Sequence, residues 1–300
     1  MSDTPIEDCC ANCGEKPGDT AKLKACTACR LVKYCGVDCQ RAHRKQHKKA
    51  CKERAAELKD ERLYNQGHER PEEDFCPICT LPIPIPMYEN ACFTVCCMKR
   101  VCHGCTWAKI MRGMSDCCAF CRTPSAKDQA SGLAQAQVRV AAKDPDAIQF
   151  LADQYNHGDS GLEKDEPRAI ELWTEAAKLG SLDACYNLGN TYLHGEAVTQ
   201  DLAKAAHYFE VAACRGHVQS RRSLGVLECN NGECVRAVRH FTISAKMGCA
   251  DSVEDIKYMY TEGEATRAQY ADALKLCQDA MEEMKSTQRE QAVYLRSRFR

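Results

Sequence analysis

Twenty-four cysteines decide what this 300-residue chain can become. Eight fall between Cys9 and Cys51, ten between Cys76 and Cys121, and six in everything that follows. Several pairs have the form Cys-x2-Cys, a knuckle whose tight turn brings two thiolates onto one ion. The opening residues, MSDTPIEDCC, are acidic and lack an apolar h-region. An intracellular setting, cytoplasmic or nuclear, is therefore expected, and there cysteines in this number point to metal rather than disulfides. Apolar residues reach 44% only with the cysteines counted among them, and the remainder is thin for one large core. Small stapled modules are the expectation. A net charge of −1 supplies no global basic field for nucleic acid. No apolar run reaches the roughly 18 residues of a membrane helix.

The first burst runs Cys10-x2-Cys13, Cys26-x2-Cys29, Cys35-x3-Cys39 and His47-x3-Cys51. Seven sulfurs and one imidazole suffice for two tetrahedral zinc sites. The stretch YCGVDCQRAHRKQHKKAC, with Tyr34 before Cys35 and Gln40 after Cys39, resembles the second half of a MYND zinc finger, an interaction module, over residues 10–51. The interleaved pairing of that family implies Cys10, Cys13, Cys35 and Cys39 on one zinc. It implies Cys26, Cys29, His47 and Cys51 on the other. Cys9 is left over as a competitor of Cys10. Arg44 stands where peptide-docking MYND fingers often carry tryptophan, which argues against docking on a flat aromatic. The cations of residues 41–54 read as a solvated helix face that offsets thiolate charge, with a nuclear or nucleic-acid patch as the alternative. Residues 52–73 read as a charged helical linker, helix first and linker towards Pro71.

The second burst, residues 74–124, carries knuckles Cys76–Cys79, Cys102–Cys105 and Cys118–Cys121 with the pair Cys96–Cys97 between the first two. It resembles an all-cysteine RING finger, the module with which ubiquitin ligases hold an E2 conjugating enzyme. Cys97-x4-Cys102 matches the fourth-to-fifth ligand step, and Lys99 stands where the commoner variant has histidine. The RING cross-brace implies Cys76, Cys79, Cys102 and Cys105 on one zinc. Cys96, Cys97, Cys118 and Cys121 take the other, with Cys92 and Cys117 as alternatives to Cys96 and Cys118. Neighbouring side chains in extended backbone point opposite ways, so Cys96 and Cys97 need a bend to share an ion. Ile78 matches the apolar position that RING fingers press into an E2. Arg122 resembles the linchpin arginine set between E2 and ubiquitin. Ala119 departs from the proline usual there, and Trp107 reads as core.

Beyond Cys121 the pattern becomes helical and repeats itself. AIQFLADQYNHG, ACYNLGNTYLHG and SRRSLGVLECNNG are each followed by a second helical element ending at Gly180, Gly216 or Gly248. A degenerate fourth unit begins near Ser252. These units resemble Sel1-like repeats, relatives of the tetratricopeptide repeat, over residues 145–283. The stacking of such hairpins buries a core that no single unit could. Trp173, Tyr186, Tyr192, Tyr208 and Phe209 read as inter-repeat core, the alternative being a recognition stripe on a concave face. Residues 284–300 read as a capping or frayed helix.

The fold class expected is thus mostly α: two small cross-braced zinc-finger modules followed by an α-solenoid of helical hairpins. The resemblances, to RING-type/MYND-type domain-containing proteins, imply about four zinc ions and a RING-type E3 ubiquitin ligase. In such a ligase the repeats and the MYND finger bring protein substrates or adaptors to E2~ubiquitin. The alternative is a non-catalytic, zinc-stapled interaction adaptor. Neither reading involves a small-molecule substrate or a membrane. Lysine methylation is excluded because no segment is left for its catalytic domain.

Overall fold

The computed structural model describes residues 9–17 and 22–298; the acidic start and the last two residues of the basic tail lie outside the described residues. The chain divides into two compact units, Met1–Asn65 and Gln66–Arg300.

The first unit is a minimal β-ribbon and one long helix. Strands β1 (Lys24–Ala25) and β2 (Lys33–Tyr34) pair antiparallel, and α1 runs from Val37 to Asn65. Arg54 pairs with both Glu57 and Glu61 on α1 at 2.8 Å, the spacing by which a solvated helix supports itself. The core is small and mostly sulfur: Cys10, Cys26, Cys29 and Tyr34 are buried together.

The second unit begins with a 3-10 turn (Glu72–Asp74), the short α2 (Met87–Asn90), a hairpin of β3 (Ala91–Thr94) and β4 (Lys99–Cys102), and α3 (His103–Met111). The hairpin pairs Ala91 with Cys102 and Thr94 with Lys99. Its core holds Cys76, Ile83, Ala91, Val101, Cys102 and Cys105, so half of it is sulfur.

Ten helices follow: α4 (Gln129–Ala141), α5 (Pro145–His157), α6 (Glu166–Leu179), α7 (Leu182–His194), α8 (Leu202–Ala213), α9 (Val218–Asn230), α10 (Cys234–Lys246), α11 (Ala250–Thr261), α12 (Arg267–Glu283) and α13 (Thr287–Arg298). From α5 to α12 they form antiparallel hairpins, each packed on the next, as the repeats require. Their boundaries are written locally. Asp144, Asp165, Ser181, Asp201 and Thr266 cap helix N-termini with side-chain oxygens. Trp173, Phe209 and Phe241 occupy one station of successive repeats, each buried. A methyl group on Gly189 would sit 2.4 Å from the Phe209 ring, and one on Gly225 would sit 2.6 Å from Phe241. Glycine there lets the aromatic lie directly on the partner helix.

The aromatics divide in their roles. Trp173 and Phe209 are buried core. Tyr192 and Tyr208 stack on each other at 5.9 Å, half-buried. Tyr186 lies between Phe209 and His217.

Helix α1 extends to Asn65, and the non-helical residues after it touch the repeats through their backbone, with Gln66 and Glu69 exposed and Gly67, His68 and Arg70 half-buried. Arg221, fully buried, donates to the carbonyls of Gln66 (2.7 Å) and Ala213 (2.8 Å). Gly216 is in the left-handed region, and a side chain on it would strike the Glu69 carbonyl. The basic tail likewise docks: α13 packs on α3. Between hairpin and repeats, Arg100 of β4 meets Asp183 of α7 at 2.5 Å, and His217 Nε2 lies 3.2 Å from the same carboxylate. Burial alone would raise the Asp183 pKa, but the Arg100 charge and the hydrogen bond with His217 outweigh it and hold the carboxyl low.

Candidate metal centres

The knuckles share one backbone device. In four of them the residue after the second cysteine takes a left-handed conformation and returns its N–H to the first cysteine's carbonyl. Gly14 bonds to Cys10 and Arg30 to Cys26, at 2.8 and 2.9 Å. Thr80 bonds to Cys76 and Arg122 to Cys118, at 2.8 and 3.2 Å. This turn aims both sulfurs at one point. The fifth pair is built otherwise: Cys102 ends β4 and Cys105 lies in the first turn of α3.

Among the described residues four tetrads result. Cys10, Cys13, Cys35 and Cys39 form site I, and Cys26, Cys29, His47 and Cys51 form site II. Site III gathers Cys76, Cys79, Cys102 and Cys105, and site IV gathers Cys96, Cys97, Cys118 and Cys121. Within each, all ligand atoms lie within 4.8 Å of one another. Helix α1 supplies Cys39, His47 and Cys51 to the first two sites. His47 presents Nε2 to Cys29 Sγ at 3.1 Å and stacks on His43, whose Nδ1 meets the Tyr34 hydroxyl at 3.1 Å.

The adjacent pair sits where the backbone bends. Cys96 and Cys97 fall in the turn between β3 and β4, where Met98 has φ +51°. Cys97 Sγ is 3.8 Å from Cys118, and Cys96 Sγ is 3.4 Å from Cys121. Cys92 is not in the tetrad: it lies on β3 with its sulfur 3.5 Å from His103 Nδ1. Cys117 is also outside, and its carbonyl accepts from Lys109. Cys9 is not one of the four residues of site I. In the repeats, Cys185, Cys249 and Cys277 are buried as small hydrophobes.

The donor sets fit zinc. With Zn–S near 2.3 Å, a tetrahedral site spaces its sulfurs about 3.8 Å apart. No two ligand atoms of a tetrad are more than 4.8 Å apart, and six sulfur pairs within the tetrads are 3.4 to 3.8 Å apart. That is far beyond the roughly 2.05 Å of a disulfide. The thiols also conflict electrically. The Cys13 and Cys35 backbone N–H groups hold Cys10 down to about 6. In the same site, the Cys39, Cys10 and Cys13 sulfurs push Cys35 up. A divalent cation at the centre removes that conflict by favouring all the thiolates together. Four such tetrads call for about four zinc ions.

Ile78 and Arg122 meet at one place. Both line a groove of ≈ 170 Å³ with Ala108, Lys109, Met114 and Gln288. Ile78 is 44% exposed, and Arg122 donates to Met114 Sδ at 3.5 Å. Trp107 is half-buried on α3, and Arg44 is exposed on α1. Gln288 had no signal in the sequence, because it reaches the groove only through the docking of α13.

Among the described residues no helix is long and apolar enough to cross a membrane. The family model of the MYND finger matches residues 10–51, and that of the Sel1 repeat matches 145–181 and 182–217. Among solved structures, a Sel1 repeat protein from Oxalobacter formigenes is similar at 19% identity and a TM-score of 0.45, over 61% of this chain and 71% of that one. A protective antigen of uropathogenic Escherichia coli strains, displaying an SLR fold, is similar at 21% identity and a TM-score of 0.45, over 64% of this chain and 40% of that one. The chain is a zinc-binding protein that joins a MYND finger, at residues 10–51, to Sel1 repeats, which are modules of protein–protein interaction.

Proposed function

We propose that residues 74–124 act as a RING-type ubiquitin ligase module, with sites III and IV as its cross-braced zincs and the repeats and MYND finger recruiting protein partners. The groove that joins Ile78 to Arg122 carries this reading. The two zinc knuckles present one apolar side chain and one guanidinium on its lip, with α3 as its floor. An E2 docked there buries Ile78. Arg122, held out by its left-handed backbone, offers a fork that can bridge carbonyls of E2 and ubiquitin. The module then contributes no nucleophile. It acts by holding the thioester in a reactive pose.

Ile78→Ala should weaken E2 binding by about 2 kcal/mol, about 30-fold in Kd. Arg122→Ala should leave E2 binding nearly intact and slow ubiquitin discharge at least about tenfold. Zinc content should stay at wild-type level in both, since neither side chain belongs to a tetrad. Single-turnover discharge over a panel of E2~ubiquitin conjugates tests this. Wild-type protein that speeds discharge of none of them is an adaptor and not a ligase.

A further inference from the structure

Site III has one open corner. Cys76, Cys102 and Cys105 are buried, whereas Cys79 is only partly covered. A zinc held by four thiolates carries a formal −2, which is costly to bury without compensation. The sulfur nearest water is the one most open to a competing chelator.

That corner is covered from the far end of the chain. Arg289, on α13, donates from Nη2 to Cys79 Sγ at 3.6 Å and to the Leu81 carbonyl at 3.1 Å. Its Nη1 donates to the carbonyls of Pro82 and Met284, both at 2.6 Å. The guanidinium therefore ties a thiolate, the two carbonyls beyond its knuckle and the end of α12 into one set. Arg70 adds a bond to the next carbonyl, Ile83 O, at 2.6 Å. Backbone packing fixes the approach. A side chain on Gly104 would lie 2.8 Å from Arg289 N, so only glycine between Cys102 and Cys105 lets α3 and α13 meet this closely.

We propose that Arg289 is the outer-sphere clamp of the site III zinc: it offsets the thiolate charge, donates to the sulfur of Cys79 and locks the loop that displays Ile78. An arginine suits this task because its planar fork holds several acceptors in a fixed geometry, whereas an ammonium's three donors turn on a flexible stem. Outer-shell partners of metal ligands typically control affinity 10- to 100-fold. The inference concerns metal retention and holds whether or not the module is a ligase.

The test is zinc release from the full-length protein into a chromophoric chelator, with native mass spectrometry counting the ions retained. In Arg289→Ala, one ion of about four should leave about 10- to 100-fold faster, with the others released at wild-type rates. Arg289→Lys keeps the charge and loses the fork, and should fall between the two. Ser286→Ala removes the hydroxyl that accepts from the Arg289 backbone N–H at 3.3 Å while sparing the guanidinium, and should release zinc as wild type does. In cobalt-substituted protein the thiolate-to-metal charge-transfer band should shift in Arg289→Ala and stay in place in Ser286→Ala. Wild-type release from Arg289→Ala overturns the proposal. So does equal acceleration of all the ions, or a Ser286→Ala variant as fast as Arg289→Ala. If the alanine variant does not fold, wild-type release from Arg289→Lys overturns it equally.

Discussion

Cys76→Ser should strip one zinc ion from the protein and dismantle the loop that carries Ile78. The Cys76 side chain is fully buried, and its sulfur accepts the Cys102 N–H at 3.4 Å. Serine leaves three thiolates and a hydroxyl that does not ionise near neutral pH. Half of the core residues around the loop are site III cysteines, so the metal carries much of its stability. In such a module the metal's binding free energy is the folding free energy, about 10–16 kcal/mol for structural zinc. Native mass spectrometry should count one ion fewer, and limited proteolysis should cut between residues 76 and 83. A variant that keeps its full zinc complement and resists chelator as wild type does would show that Cys76 is not a ligand.

The second large effect belongs to the repeats. Phe209→Ala should cost about 3–5 kcal/mol, the range for emptying a buried aromatic site. Phe209 is fully buried, and its ring lies on Gly189 with no room between. Gly189→Ala should destabilise as well, for the opposite reason, since its methyl group overlaps the ring. The two changes should compensate in part, because the new methyl enters the space the ring vacates. Urea unfolding of both single variants and the double variant gives the coupling. Strict additivity would mean that the glycine and the ring do not share one space.

How much of this was legible in the sequence depends on distance along the chain. Knuckles and the His47–Cys51 pair lie within a few residues, so spacing alone reveals them. The helix caps and the glycines after repeat helices are local as well. Choosing Cys96 over Cys92 needed more: the bend at Val95–Met98 has no strong turn residue to announce it. Family registration, not backbone reasoning, pointed to Cys96. The segment after Asn65 read as a linker because its residues are charged and interrupted by Pro71. Its docking rests on backbone contacts, such as Glu69 against Gly216, that leave no hydrophobic pattern to find. Arg100, Arg221 and Arg289 look like ordinary surface charges in one dimension. Each acquires its role only when a distant carboxylate or carbonyl arrives beside it.

The clamp on Cys79 also sets an order of assembly in time. Arg289 lies 210 residues beyond the sulfur it touches. At about 5–20 residues per second of synthesis, the knuckle leaves the ribosome roughly 10–40 s before its partner exists. During that interval the thiolates of the loop can be loaded with metal, but nothing yet covers the sulfur nearest water, and α3 has no helix against Gly104. A nascent chain therefore carries a zinc site more exchangeable than that of the finished protein. A chain interrupted anywhere before α13 keeps that exchangeable site for as long as it survives, and so stays open to metal loss and to the proteases that follow it.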